Sequence, residues 1–457
     1  MTTLDGGTAG PSGLLRRNRS FSLLFLATAG SATGTYLAAV ALSWDIRERT
    51  DSGLWIAGLL VADFLPMVII GLTLGPLVDR LSRRRLMIVS DLTRAATFAA
   101  LPFVDRPGAI VALAAVGGIA TGFFRPAVWA GMPNLVDEED LERATSLFAT
   151  TENAAWMIGP VIAGGLIALS GGPSLAYWVN GVSFLVSALL LARIPARALQ
   201  SSDPITRGHW QDVRDGLGLV LRSRPLRTVL VVWSIAALAS AGVNVGEVFL
   251  ATHSLDAGSI GFGLLVGSTG VGLVLGSLWA ASALGRFGMT RLYGGSLLVM
   301  AAGFGSAAAA PNIAVACVLA GIAAVGNGAA IVCNQILVQR GAPDAMRGRS
   351  LAVLMSVYYA CLGTGMAVAG VLTDVVGARI VWGIAGGVYL VAALFAFGFT
   401  HRIRADLEVR LEAEGFSMNR AGVNRLEALL GEVETTREEE RLRPKKALPY
   451  IPRKRTD

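Results

Sequence analysis

Twelve nearly charge-free stretches recur along this chain, each about 20 residues or more, enough for a helix to cross the hydrocarbon core of a bilayer. They run 20–44, 54–78, 86–104, 108–133, 145–169, 173–192, 228–251, 260–284, 292–310, 312–338, 350–373 and 378–399. In lipid, each must satisfy its own backbone hydrogen bonds, which a helix does. The expected fold is therefore an all-α membrane protein of twelve transmembrane helices in two six-helix bundles. The division reads as an N-terminal segment 1–19, a first bundle 20–192, a central loop 193–227, a second bundle 228–399 and a charged tail 400–457. Pro195, Pro204 and Pro225 break the central loop.

Charge is scarce and sorted. Only 16% of the residues are charged, and 24 of the 71 lie beyond position 400, whereas soluble domains run near a quarter charged throughout. Counted along alternating loops, 33 of the 39 Lys and Arg fall on one side with both ends of the chain. That bias assigns both termini to the cytoplasm, and the expected location is the plasma membrane. The net charge of +7 is then a topology signal, and nucleic acid is not an expected partner.

The residue inventory excludes other functions. All three lysines, Lys445, Lys446 and Lys454, sit in the tail, so no phosphate-binding loop with its Gly-Lys can exist in the apolar region. An ATP-driven pump within this chain is excluded. His209, His253 and His401 are scattered, and Cys317, Cys333 and Cys361 lack zinc spacing. No metal, cofactor or disulfide is expected. The string Gly267, Gly270, Gly272, Gly276 imitates a dinucleotide fingerprint but lies inside an apolar span, where glycines serve helix packing. No cluster of catalytic groups points to an enzyme.

A shift of 206 residues superimposes Arg80 on Arg286, Arg85 on Arg291, Arg143 on Arg349, Gly159 on Gly365 and Gly164 on Gly370 without a gap. Two parallel six-span repeats, related by an axis along the membrane normal, are one plan of secondary transporters. The repeat is imperfect where it matters, because Gly285 stands opposite Asp79.

Between spans 2 and 3 the chain reads Gly75-Pro-Leu-Val-Asp79-Arg80-Leu-Ser-Arg83-Arg84-Arg85. This resembles the signature loop of the major facilitator superfamily, with Ser82 in place of its second glycine. The resemblance implies an inner gate built on Gly75, Asp79, Arg80, Arg83 and Arg84, with Asp91 and Arg94 just beyond. The acidic loop Val136 to Arg143 either bridges to Arg80 and Arg83 to Arg85 or is a solvated turn. Span 5 carries Gly159-Pro160-Val-Ile-Ala163-Gly164-Gly165, where Pro160 bends the helix and the glycines permit close approach. It resembles the Gly-Pro motif of exporters in the same superfamily. With Leu65-Pro66, Arg125-Pro126-Ala127 and Asn180 to Phe184, the chain looks most like the macrolide and siderophore exporter branch. The arginine that proton-coupled members carry early in span 4 is absent, Ala114 lying near its place.

Ionisable groups inside the spans need a partner or a task. Asp63 lies about 15 Å along span 2 at 1.5 Å per residue, near the middle of the membrane, and is the first choice for binding a proton or a cationic substrate. Glu247, near Asn244 in span 7, is second. Asp91 and Arg94, three apart on one face, should satisfy each other. Arg125 and Glu152 are positioned to pair across the cavity, as gate or as scaffold.

The expected protein is a monomeric secondary transporter exporting an amphipathic small molecule (a drug, a macrolide-like compound or a siderophore), driven by the proton gradient, with lipid as its other partner. The alternatives are a nutrient importer on the same fold and a membrane receptor signalling through the tail.

Overall fold

The computed structural model describes residues 11–73, 81–200 and 209–413. Among these residues helix predominates and no strand occurs. The spanning helices are α1 (Arg19–Thr50), α2 (Gly53–Thr73), α3 (Arg83–Ala100), α4 (Pro107–Gly131), α5 (Glu138–Ser170), α6 (Ser174–Ala192) and α7 (Arg224–Phe249). A continuous 50-residue stretch, Gly258–Ala307, follows. At 1.5 Å per residue it would be about 75 Å long if straight, more than twice the bilayer core. Gly288 breaks it at φ 73 and ψ 165, a conformation open to glycine, and yields α8 (258–287) and α9 (289–307). Then come α10 (Ile313–Gly341), α11 (Asp344–Val376) and α12 (Ala378–Ala413). The twelve expected helices are present.

Local chemistry sets the ends. Asn18 caps α1 by accepting from the Phe21 amide at 3.0 Å, and Asn312 caps α10 from Val315 at 3.0 Å. Gly171 and Gly377, at φ 71 and 83, close α5 and α11. Two elements were not anticipated. A short helix, Pro11–Arg17, precedes α1, and the central loop contains the helix His209–Arg222. The latter intersperses Gln211, Asp212, Arg214 and Asp215 among its apolar residues, so it offers no uninterrupted apolar run.

α1 packs on α5 and α6, α2 on α4, and α3 on α4 and α6. The second half repeats the scheme: α7 packs on α11 and α12, while α8 and α9 pack on α10 and α9 on α12. These are the two pseudo-symmetric bundles. Large apolar side chains such as Leu278 and Val375 remain exposed on their outer surfaces, as helices surrounded by lipid require.

We call the face where α1 begins and α12 ends the near face, and the opposite one the far face. One apolar core joins the far parts of both halves, through residues such as Trp44, Ile56, Tyr177, Phe249 and Trp382. A separate core, with Phe21, Met87, Phe124, Phe148 and Leu191, occupies the near part of the first half alone. The halves are thus packed together at the far face and apart toward the near face.

Candidate functional site: a cavity between the bundles and its far gate

The site is built where α2 and α4 face α11. A cavity of about 670 Å³ is lined by Met67 and Val68 of α2, Arg125, Pro126 and Trp129 of α4, and Met355, Ser356 and Tyr359 of α11. Every lining residue lies in the central or near part of its helix. On the far side the two halves meet through the stacked rings of Phe64 and Tyr359, 5.7 Å apart.

Arg125 and Trp129 also line a second cavity inside the first bundle, about 530 Å³, with Tyr36, Arg94, Phe148 and Glu152. Arg125 Nη2 donates to Glu152 Oε1 at 2.6 Å, with both side chains partly exposed. Tyr36 stacks on Trp156 at 5.9 Å with rings nearly parallel. The wall therefore combines flat aromatic faces with a compensated ion pair, suited to an amphipathic guest carrying an aromatic or charged group.

Arg94, Thr35 and Thr121 connect this space to a third cavity, which holds Asp63. Asp63 and Arg94 are brought into one cavity. Close helix approach makes this possible, since a Cβ at Gly118 of α4 would sit 2.1 Å from the Asp63 carbonyl oxygen. Arg94 pairs with Asp91, and Ser187 donates to the other Asp91 oxygen at 2.6 Å. The Arg94 guanidinium is sandwiched between Phe124 and Phe184, 4.3 and 4.2 Å from the ring centroids. Glu247 is half-buried near the far end of α7, with Asn244 exposed one turn away. No ion pair to Glu247 exists among the described residues, and the structure does not bring it to the cavity lined by Asp63.

The Gly-Pro motif lies on the seam. Gly159 meets Thr33 and Leu37 of α1, and Gly164 meets Ser259 and Gly263 of α8 across the halves. Ser259 Oγ donates to the Gly164 carbonyl at 3.1 Å. Gly165 departs from the expectation, because nothing lies within 4 Å of a Cβ built there; it makes no close approach. Gly75, Asp79 and Arg80 lie outside the described residues. Arg83 donates to the carbonyls of Ala130 and Leu199 at 2.9 and 3.1 Å, and Arg84 to those of Leu191 and Ala192. These arginines neutralise helix C-terminal carbonyls within the first bundle. The acidic loop does not bridge to Arg83 or Arg84 either. Its Asp140 takes Arg17 at 2.7 Å and Arg143 at 3.2 Å, the short helix Pro11–Arg17 having delivered a closer cation.

Sequence reasoning missed two charged clusters at the far face. α1 continues past Trp44, so Asp45 is buried and accepts from Arg49 at 2.6 Å and from Tyr177 at 2.8 Å. The i,i+4 spacing of Asp45 and Arg49 was the available signal. Asp374, one residue past the expected end of span 11, accepts from Ser52, Gly53 and Leu54.

The profile of the family described as transmembrane secretion effector matches residues 12–419. The chain belongs to this family, within the major facilitator superfamily. It is a multi-pass membrane transporter of the efflux branch, as the signature loop and the exporter-type motif implied. Curated relatives in this superfamily include the multidrug efflux pump Tap of Mycolicibacterium fortuitum, 27% identical over 389 residues covering 79% of this chain and 91% of the relative. The putative bacilysin exporter BacE of Bacillus subtilis is 34% identical over 167 residues, 36% of this chain and 42% of the relative. Among solved structures, the nucleoside transporter NupG (D323A mutant) superposes with a TM-score of 0.68 at 14% identity, covering 84% of this chain and all of that one. A bacterial homolog of the human lysosomal transporter Spinster gives 0.65 at 14% identity, covering 87% and 98%. At these identities the superpositions speak for the fold alone.

Proposed function

We propose that this transporter exports amphipathic small molecules from the cytoplasm across the plasma membrane, in exchange for protons, by alternating access of the central cavity. The observation that carries the reading is the aromatic-walled cavity with its Arg125–Glu152 pair, placed toward the near face below a tightly packed far face. With the near face cytoplasmic, as the Lys and Arg bias favours, this is the state that loads cargo from inside. The likeness to a multidrug efflux pump and to a putative bacilysin exporter supports export of drug-like compounds.

Rocking of bundle 20–192 against bundle 228–399 would open the far face. Asp63 is the proposed proton carrier. A proton from outside neutralises it and favours return of the empty carrier, while cargo arriving beside Arg94 and Arg125 favours its release. Glu247 is the second candidate. The signature loop, Gly75, Asp79 and Arg80 with Arg83 and Arg84, is proposed to hold the opposite, outward-open state. The protein acts as a monomer in this reading, without catalysis of its own.

Ethidium efflux from overexpressing cells tests the proposal. Export that stops when an uncoupler collapses the proton gradient supports it, and accumulation unchanged from cells lacking the protein counts against it.

A further inference from the structure

The far face is closed by groups from opposite halves, and one of them is a carboxylate seated on a helix N-terminus. Asp374 lies at the far end of α11. Its Oδ1 accepts from the Gly53 amide at 2.5 Å, and its Oδ2 accepts from Ser52 Oγ at 2.9 Å and from the Leu54 amide at 3.2 Å. The Gly53 and Leu54 amides are among the orphan N–H groups of the first turn of α2, which a helix normally satisfies with its own cap residue. Ser52 stands in the cap position, yet its hydroxyl is turned to donate to Asp374. The cap of a first-half helix is thus supplied by the second half, more than 300 residues away.

The surrounding contact is made for this seat. A Cβ at Gly53 would lie 2.6 Å from the Gly370 carbonyl oxygen, and one at Gly370 would lie 2.9 Å from Leu54 and 3.0 Å from Ala57. The two backbones touch one turn below the carboxylate. A second link crosses the same face, His253 standing 3.2 Å from Asp51.

We propose that Asp374 is the latch of the far gate, a positioning residue that sets the balance between the state closed at the far face and the state open there. The inference rests on the alternating-access reading. Charge-assisted hydrogen bonds are roughly twice as strong as neutral ones, and all three break together when α2 and α11 part. Asp374 already meets water in this state, so on opening water takes the place of the three donors, and the latch adds to the closed state without blocking the cycle.

The test uses full-length purified protein with Cys317, Cys333 and Cys361 replaced and one reporter cysteine introduced. Ala57→Cys is buried in the far contact, and Ser356→Cys lines the central cavity. Asp374→Asn removes the charge and leaves one amide oxygen for the donor-only Gly53 and Leu54 amides, with its NH2 able to find an acceptor only in Ser52 Oγ. It is expected to raise maleimide labelling of Ala57→Cys by about tenfold, the equivalent of about 1.4 kcal/mol, and to slow labelling of Ser356→Cys. Asp374→Glu should restore most of both rates, a reciprocal pattern that simple loss of folding cannot produce. Ser52→Ala, which removes one donor of three, should shift the rates the same way by less. Unchanged rates in both Asp374→Asn and Ser52→Ala overturn the latch, provided that ethidium shifts labelling in the parent. A parent whose two rates never respond to ethidium would instead count against alternating access itself.

Discussion

Replacing Gly164 with alanine will jam the seam between the bundles. The added Cβ would lie 2.5 Å from the Ser259 carbonyl oxygen and 3.3 Å from the Gly263 Cα of α8. Ordinary contact begins near 3.4 Å, so the helices must separate by roughly 1 Å, and because the obstacle is backbone no side-chain rotation relieves it. Overpacking of this kind costs about 1–3 kcal/mol. Each bundle keeps its internal packing, so the cost falls on the far-closed state and converts to a population shift of about five- to 150-fold. Gly165→Ala is the matched control, identical in chemistry and adjacent in sequence but with open space at its Cβ. Ethidium efflux, normalised to protein in the membrane fraction, should fall at least several-fold in Gly164→Ala and stay at the parental level in Gly165→Ala. Equal efflux in the two variants, or loss of Gly164→Ala protein from the membrane, would refute the assignment of Gly164 to a moving seam.

Three further outcomes follow from the same geometry. Arg94→Ala leaves Asp91 buried without its cation, a loss of about 3–5 kcal/mol for broken buried pairs, so the thermal midpoint in detergent should drop sharply; the double variant Arg94→Leu/Asp91→Asn should recover part of it. Glu152→Gln should leave that midpoint nearly unchanged, since partly exposed pairs contribute at most about 1 kcal/mol, while export of cationic dyes falls relative to neutral ones. Asp63→Asn should retain dye binding to the purified protein, read by fluorescence, and lose the proton-driven component of efflux.

The fold was largely legible because lipid imposes a simple rule on sequence: a span is long, apolar and self-satisfied. The signal failed where an element does not cross the membrane. The helix His209–Arg222 is too short and too polar for a hydropathy reading, and α1 runs to Thr50 because Asp45 and Arg49 compensate each other. Within the site, Asp91 and Arg94 were readable from their spacing on one helix. Arg125 and Glu152 were readable because neighbouring spans place them at similar depth. Asp374 with Ser52 was not, because an acid at a span end has many solvated alternatives and only the packing of α2 on α11 selects this one. Gly164 and Gly165 made the same point in miniature, since two adjacent glycines look alike until α8 is placed against one of them.

The central claim is proton-coupled export, and reconstitution tests it most directly. Purified protein in vesicles with its near face outward, given an imposed gradient with the lumen acidic, should accumulate ethidium in the lumen. A protonophore should abolish that accumulation, and Asp63→Asn should not show it. Accumulation no greater than in protein-free vesicles, or accumulation indifferent to both the protonophore and the Asp63 substitution, would contradict the account.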